Sequence, residues 1–409
     1  MSEKRIRLNQ KTIKDFIGLL KHASMIAPFE PECVRWDMIL NYSLLHHVEV
    51  MMLEAMSHMP QDLRPPAEVM HRLEQEAMTM IIQDANQISE IESLLDDFDR
   101  HEIPAITLKG WVMKDYYPRT DFRSRADTDI FIHSDDEMRI HDIIMGHEYS
   151  NLTIGGKKDN VYCKEPFVTL EIHKNLFMYE DEWNKIFNDE YGVLYIWDRV
   201  ERIGRYNHIY RMDVDMFYVY HLAHMVKHLI SGGGGIGVKA FMDLWLYRSV
   251  NEDKMNFDRI NRDLETLSMT KFADTVWKLA RAWFSSDTIA YPDESIRRFG
   301  EYIMDCGAYG HSHNFVANNE AMYNTRNPTK IGYLARRAFP SKSSMEKRFP
   351  IIKNYPATLP YYWAKRLWRD GFKRKKEVLG EVNSVWSVDY NRVEEIHEMY
   401  KQWGIPQVK

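Results

Sequence analysis

The chain holds three cysteines in 409 residues, Cys33, Cys163 and Cys306. With no CxxC spacing and no even set, they provide neither a disulfide framework nor a thiolate zinc site, which fits a reducing compartment. Long apolar runs are missing too: nothing approaches the roughly twenty residues a membrane-spanning helix needs. Met1 to Gln10 is polar and charged, and the first apolar stretch, Phe16 to Leu20, is too short for the core of a secretion signal. The expectation is a cytoplasmic protein. A strong excess of one charge is absent as well. A formal net charge of -6 excludes a general coat for nucleic acid but leaves room for a local basic surface. There is no HExxH and no internal repeat. The glycine run from Gly232 to Gly237 precedes Lys239, but a phosphate loop needs a strand before it and Ser or Thr after the lysine. That run reads as a hinge between helices.

What is present is an ordinary globular composition, 44% hydrophobic and 28% charged, in a chain long enough for two or three domains. The 24 methionines and the 13% aromatic content read as adaptable core packing. Apolar residues recur at helical spacing over 14–23, 36–59 and 68–98, with Pro60 and Pro65-Pro66 as breaks. The period changes at Ile103. A short β-rich stretch over 103–108 is followed by a helix over 110–117 that ends at Pro118, then by a strand over 127–132. Ser134 with Glu137 three residues on forms a capping box, predicting a helix over 135–148. After a turn at Gly155-Gly156, residues 160–167 and 168–176 alternate like strands. Helices return from Trp183, over 215–230, 238–250 and 255–305, and 307–330 reads as a polar linker. The expected domains are a helical region over 1–100, an α/β core over 101–210, a helical domain over 211–306, and a linker with a basic amphipathic tail over 307–409.

Function concentrates in the core. Asp127 and Asp129 are two carboxylates one residue apart at the head of an apolar run, Ile130-Phe131-Ile132. In a strand, positions i and i+2 share a face, so the two acids project together while Ile130 and Ile132 turn to a core. Adjacent carboxylates repel unless a cation lies between them, and hard oxygen ligands suit Mg²⁺, with Mn²⁺ as a substitute. Leu170-Glu171-Ile172-His173 repeats the alternation, leaving Glu171 and His173 on the cleft face. Lys109, Arg123 and Arg125 are candidate phosphate clamps, Arg by its bidentate fork and Lys as a point charge. His221, His224 and His228 fall on one helical face, which reads as a pocket wall, as core packing, or as the centre of a metal hydrolase. Asp243 reads as a pocket residue or as the partner of Lys239 four positions earlier.

Taken together, these residues resemble the uncharacterised nucleotidyltransferase family of bacteria, a branch of the polymerase-β-like nucleotidyltransferase superfamily. The likeness lies in Leu108-Lys109-Gly110, Tyr117-Pro118, Arg123 four residues before the first acid, Asp127 with Asp129, and Glu171-Ile172-His173. It extends to the histidine helix leading to Asp243 and to Phe339-Pro340-Ser341 and Arg348-Phe349-Pro350, covering roughly residues 100–375. The resemblance implies an α+β fold, a small mixed polymerase-β-like sheet with helices embedded in a largely helical chain. It implies Mg²⁺-dependent transfer of a nucleoside monophosphate from an NTP to an acceptor, with release of pyrophosphate. Asp127, Asp129 and Glu171 then hold metal, and Lys109, Gly110, Arg123, Arg125, His173, His224 and Asp243 bind the nucleotide. The superfamily's Gly-Ser at the helix start is replaced by Lys109-Gly110-Trp111, so phosphate anchoring falls to the helix start, Lys109 or Thr107. That departure supports a rival, a non-catalytic nucleotide-binding or scaffold protein. The acceptor stays open among a sugar, a small antibiotic, a protein hydroxyl and an RNA end. The basic helix over 360–376, with interleaved aromatics, reads as a packed helix or as a peripheral contact for a polyanion or membrane.

Overall fold

The computed structural model describes residues 10–24, 31, 35–124, 127–133, 137–152, 159–166, 168–177, 182–230, 235–285, 289–310, 330–373 and 390–406. Arg125, the Ser134 cap, Gly155-Gly156, Gly232 to Gly234 and most of the polar linker lie outside these. By contacts the chain forms two compact units, Met1–Lys227 with Ile236–Ala308, and His228–Gly235 with Tyr309–Lys409. Among the described residues no helix is long and apolar enough to cross a membrane.

The first unit begins with helices α1 (Gln10–Ala23), α2 (Trp36–His46), α3 (Glu49–Ser57) and α4 (Ala67–Arg100). The helical stretch expected over 36–59 divides into two helices. His47 adopts a left-handed conformation with φ 54°, and Val48 N donates to Ser43 O at 3.1 Å, closing α2 by a tight C-terminal turn. No Gly marks that break, so the periodicity runs through it unaltered. Helix α4 is one uninterrupted element of 34 residues, opening after Pro66 and closing where Ile103 N donates to Phe98 O at 2.8 Å.

A seven-stranded mixed sheet follows, β1 (Ala105–Thr107), β2 (Thr128–Ile132), β3 (Ser150–Asn151), β4 (Asp159–Lys164), β5 (Val168–His173), β6 (Val200–Arg202) and β7 (Ile209–Met212), in the order β3-β4-β5-β2-β1-β7-β6. Between them run α5 (Lys109–Met113) with a 3₁₀ turn at Lys114–Tyr116, α6 (Glu137–Gly146) and α7 (Glu182–Asn188). The β6–β7 hairpin falls where only returning helix was expected. Its strands are too short for a two-residue period to declare itself, and its turn carries Gly204 at φ +46°. The remaining helices are α8 (Val214–Ile230), α9 (Val238–Asn251), α10 (Phe257–Thr266), α11 (Thr270–Phe284) and α12 (Glu294–Cys306). Side chains cap two of them: Asn256 accepts from Arg259 N and Asp293 from Ile296 N.

One face of the sheet is apolar. Ile130 and Ile132 of β2 and Leu170 and Ile172 of β5 are at most 1% exposed, packed with Ile91, Leu94, Leu95 and Phe98 of α4 and Ile140 and Ile144 of α6. Each such side chain contributes about 1.5–3 kcal/mol on burial. A one-residue register slip would drive Asp129 and Glu171 into this core, so the packing fixes which face they occupy. The second unit holds Lys330–Ala338, Lys342–Arg348, Ile351–Asn354, Leu359–Lys373 and Tyr390–Trp403 as helices.

Candidate active site

The antiparallel register of β1 on β2, Thr107 opposite Ile130, ends with Leu108 N donating to Asp129 O at 3.2 Å. Lys109 and Gly110 therefore leave the sheet beside the second acid of the pair. On the other side, β5 runs parallel to β2 with Asp129 beside Glu171 and Phe131 beside His173. Opposite the core, these side chains converge. His173 Nε2 lies 2.6 Å from Asp129 Oδ1 and 3.7 Å from Glu171 Oε2. Among the described residues, Asp129, Glu171 and His173 form the group whose ligand atoms all lie within 4.8 Å of one another. Asp127 sits one residue before β2.

The acids are electrostatically uneven. Burial, then the charges of Asp129 and Glu171, push Asp127 up to about 6. Burial also presses Asp129 upward, but the hydrogen bond and charge of His173, with Lys227 and Lys109, outweigh it and hold the group below its usual range. Two carboxylate oxygens and one imidazole nitrogen are a donor set that could hold a metal ion, and Asp127 lies outside that group while its charge is felt beside it. Thr128, between the acids, is 1% exposed and its hydroxyl lacks a partner among the described residues.

Lys109 Nζ lies 3.0 Å from His224 Nδ1. Burial, then the charge of Arg123, lowers Lys109 to about 8. Thr107, a candidate phosphate anchor, is turned away: its hydroxyl donates to Tyr210 O at 3.4 Å. Arg123 reaches α9 instead of open space. Its Nε and Nη2 donate to Asp243 Oδ1 and Oδ2 at 2.7 and 2.8 Å, and Tyr117 Oη donates to the same carboxylate at 2.7 Å. Asp243 is fully buried, and the Arg123 charge overcomes burial to hold its pKa low. The same carboxylate lifts the buried Tyr117 phenol further above its normal value. His221 Nε2 meets Ala240 O at 3.0 Å, with its pKa lowered to about 4 by burial and by Lys109. The histidine row thus contributes two side chains to this packed region and no member to the metal-ligand group found among the described residues.

Lys239 was legible only as a lysine after a glycine run, four residues before Asp243. It pairs elsewhere: its Nζ donates to Ser124 O at 3.0 Å and to Ser124 Oγ at 3.1 Å. Burial, then the Arg123 charge, lowers it to about 7. Glu49 of α3, raised to about 7 by burial, opposes that shift. Neither Ser124 nor Glu49 carries a sequence signal, because each acquires its role by meeting α9. A depression of about 610 Å³ lined by Asp97, His101, Arg139, Asp142, Ile143, Gly146 and His147 shares no residue with the carboxylate group. Within it His147 Nε2 lies 2.8 Å from Asp97 Oδ2 and Arg139 donates to His101 O at 2.7 Å.

No curated protein and no solved structure matches this chain. A family model described as uncharacterised nucleotidyltransferase matches residues 32–285. That span takes in α2 through α11, the sheet, the carboxylate group and the Arg123–Asp243 pair. This chain belongs to the uncharacterised nucleotidyltransferase family.

Proposed function

We propose that this protein uses a polymerase-β-like core to move a nucleoside monophosphate from an NTP to an acceptor hydroxyl or phosphate, releasing pyrophosphate. The observation that carries the reading is the parallel register of Asp129 with Glu171, with Asp127 at the strand entrance and Lys109 launched beside them. Asp127, Asp129 and Glu171 are the oxygen ligands for Mg²⁺ or Mn²⁺. Bound there, the metal supplies charge neutralisation on the phosphates and aligns the attacking and leaving oxygens.

The chain's own residues do the remainder. The acceptor oxygen attacks the α-phosphorus as the bond from that phosphorus to the bridging oxygen breaks. That oxygen keeps the electron pair and leaves as pyrophosphate. Glu171 takes the acceptor's proton. Lys109 gives its charge to the phosphates, and Gly110 keeps the backbone beside it unencumbered. Arg125 adds a second cation. Arg123 and Asp243, locked together, form a fixed wall of the nucleotide pocket on which His224 and His173 complete the lining. The acceptor is a sugar, a small antibiotic, a protein hydroxyl or an RNA end.

One observation favours a second reading. The helix start offers no serine, and the Thr107 hydroxyl is taken by Tyr210 O. A non-catalytic nucleotide-binding protein would bind NTP without releasing pyrophosphate. The test is pyrophosphate release from each of the four NTPs with Mg²⁺ or Mn²⁺ in a host lysate, for the wild type beside Asp127→Ala/Asp129→Ala. Metal-dependent release that vanishes in the variant is expected. NTP binding with equal, background release from both proteins would establish the second reading instead.

A further inference from the structure

Residues 330–373 take no part in that chemistry, and their charge sets them apart. They carry eleven Lys and Arg against two Asp and Glu, in a chain whose formal net charge is -6. They belong to the second compact unit. There the helix Leu359–Lys373 divides its aromatics between two faces. Trp363 Nε1 donates to Pro340 O at 3.0 Å, and its ring meets Phe339 at 5.5 Å between centroids. Tyr362 packs on Phe349 at 4.6 Å, and Arg366 donates to Ala338 O at 3.1 Å. The opposite stripe, Tyr361, Lys365 and Trp368 at i, i+4 and i+7, faces outward, with Tyr361 63% and Trp368 69% exposed. Just before it, Ile351 and Tyr355, the latter directly after the short helix Ile351–Asn354, are 46% and 64% exposed. Of the residues expected to pack, Trp363 does, Leu367 and Trp368 are 40% and 69% exposed, and the Phe372 side chain lies outside the described residues.

We propose that this outward face docks on an anionic lipid bilayer. Charge complementarity selects a polyanionic partner, because cations near a negatively charged leaflet are attracted within a screening length of its surface. The apolar members select lipid over nucleic acid. Tyr and Trp settle at the headgroup level, and the neighbouring exposed aliphatics Ile351 (46%) and Leu367 (40%, one position before Trp368) gain from the boundary with the acyl chains. Aliphatic side chains offer bases no stacking platform. The lysine stems can lie along the apolar region while their ammonium groups stay among the headgroups. Attachment of this kind is peripheral, reversible and weakened by salt. It does not rest on nucleotidyl transfer, and its test needs no nucleotide.

The experiment is co-sedimentation of the full chain with vesicles of phosphatidylcholine alone or containing about a third phosphatidylglycerol, at low and high salt. Retention on the anionic vesicles, at least about tenfold weaker on neutral ones and at high salt, is expected. Tyr361→Ser/Trp368→Ser should weaken retention by about tenfold or more in a chain that still unfolds cooperatively. If that variant fails to fold, Lys353→Glu/Lys365→Glu, which alters no aromatic residue, carries the same expectation. Absence of binding to anionic vesicles would overturn the proposal. So would wild-type retention by folded variants, or retention that single-stranded RNA abolishes by occupying this face more tightly than lipid does.

Discussion

Asp127 and Asp243 are carboxylates drawn out of water within the same unit, and their surroundings push them in opposite directions. Asp127 stands beside Asp129 and Glu171 and is raised to about 6. Asp243 receives both arms of Arg123 and the Tyr117 hydroxyl, and its pKa is held low. The first region gathers three acids against His173, Lys109 and Lys227, and its carboxylates retain partial exposure. The second is fully neutralised inside the protein, with Asp243 at 0% exposure. Unrelieved like charge is destabilising by itself and is useful only to a ligand of opposite sign. A buried ion pair with every donor matched serves to hold elements in place, here the turn before β2 against α9.

The comparison breaks most visibly through activity. Asp127→Asn should lower metal-dependent pyrophosphate release by roughly 10³-fold, about 4 kcal/mol in the barrier. Its denaturation midpoint should stay level or rise, because the change removes repulsion. A clear loss of stability would place Asp127 with the structural acids instead. Asp243→Ala should act first on stability. Leaving the Arg123 guanidinium buried and alone costs about 3–5 kcal/mol of stability, to be read from urea denaturation. A variant as stable as wild type would show that the pair does not hold the fold.

Tyr117→Phe keeps the ring and removes one hydrogen bond to the Asp243 carboxylate, an expected loss of about 1.5–3 kcal/mol by the same measurement. The smallest effect is a pH slope. His221 is protonated with an ordinary pKa of 6.5 when unfolded and near 4 when folded. Between those values the unfolded chain binds more protons, so stability falls as pH drops from 6.5 toward 4. The slope is at most about 1.4 kcal/mol per pH unit. His221→Gln retains a donor for Ala240 O and should flatten that part of the profile, measured by denaturation at pH 7 and pH 5. An unchanged slope would assign the acid sensitivity to other groups.

Much of the fold could be read from local pattern. The absence of Gly and Pro over 67–100 permits one long helix, and the alternation in Leu170-Glu171-Ile172-His173 places two polar side chains opposite two core positions. The break at His47 was hidden, because a non-glycine residue takes the left-handed conformation there. The β6–β7 hairpin was hidden because its strands gain their identity by adding to β1, which pairs with Ile209 and Tyr210 from about a hundred residues away. At the site, faces were legible and partners were not. Asp243 could be tied to Lys239 by helical spacing, yet Arg123 takes it from 120 positions earlier and Lys239 goes to Ser124.

The spacing of residues along single elements was therefore enough to put Glu171 and His173 on one face and to assign Ile130, Ile132, Leu170 and Ile172 to the core, while Asp127 falls one residue before its strand. Those relations follow from the two-residue repeat of a strand, which the chain carries wherever it is extended. Tertiary structure alone decided that β2 and β5 lie side by side in register, that His173 reaches Asp129, and that Arg123 is spent on Asp243. Such choices depend on sheet order and helix packing between distant segments, and a local pattern holds no information about which distant segment will arrive.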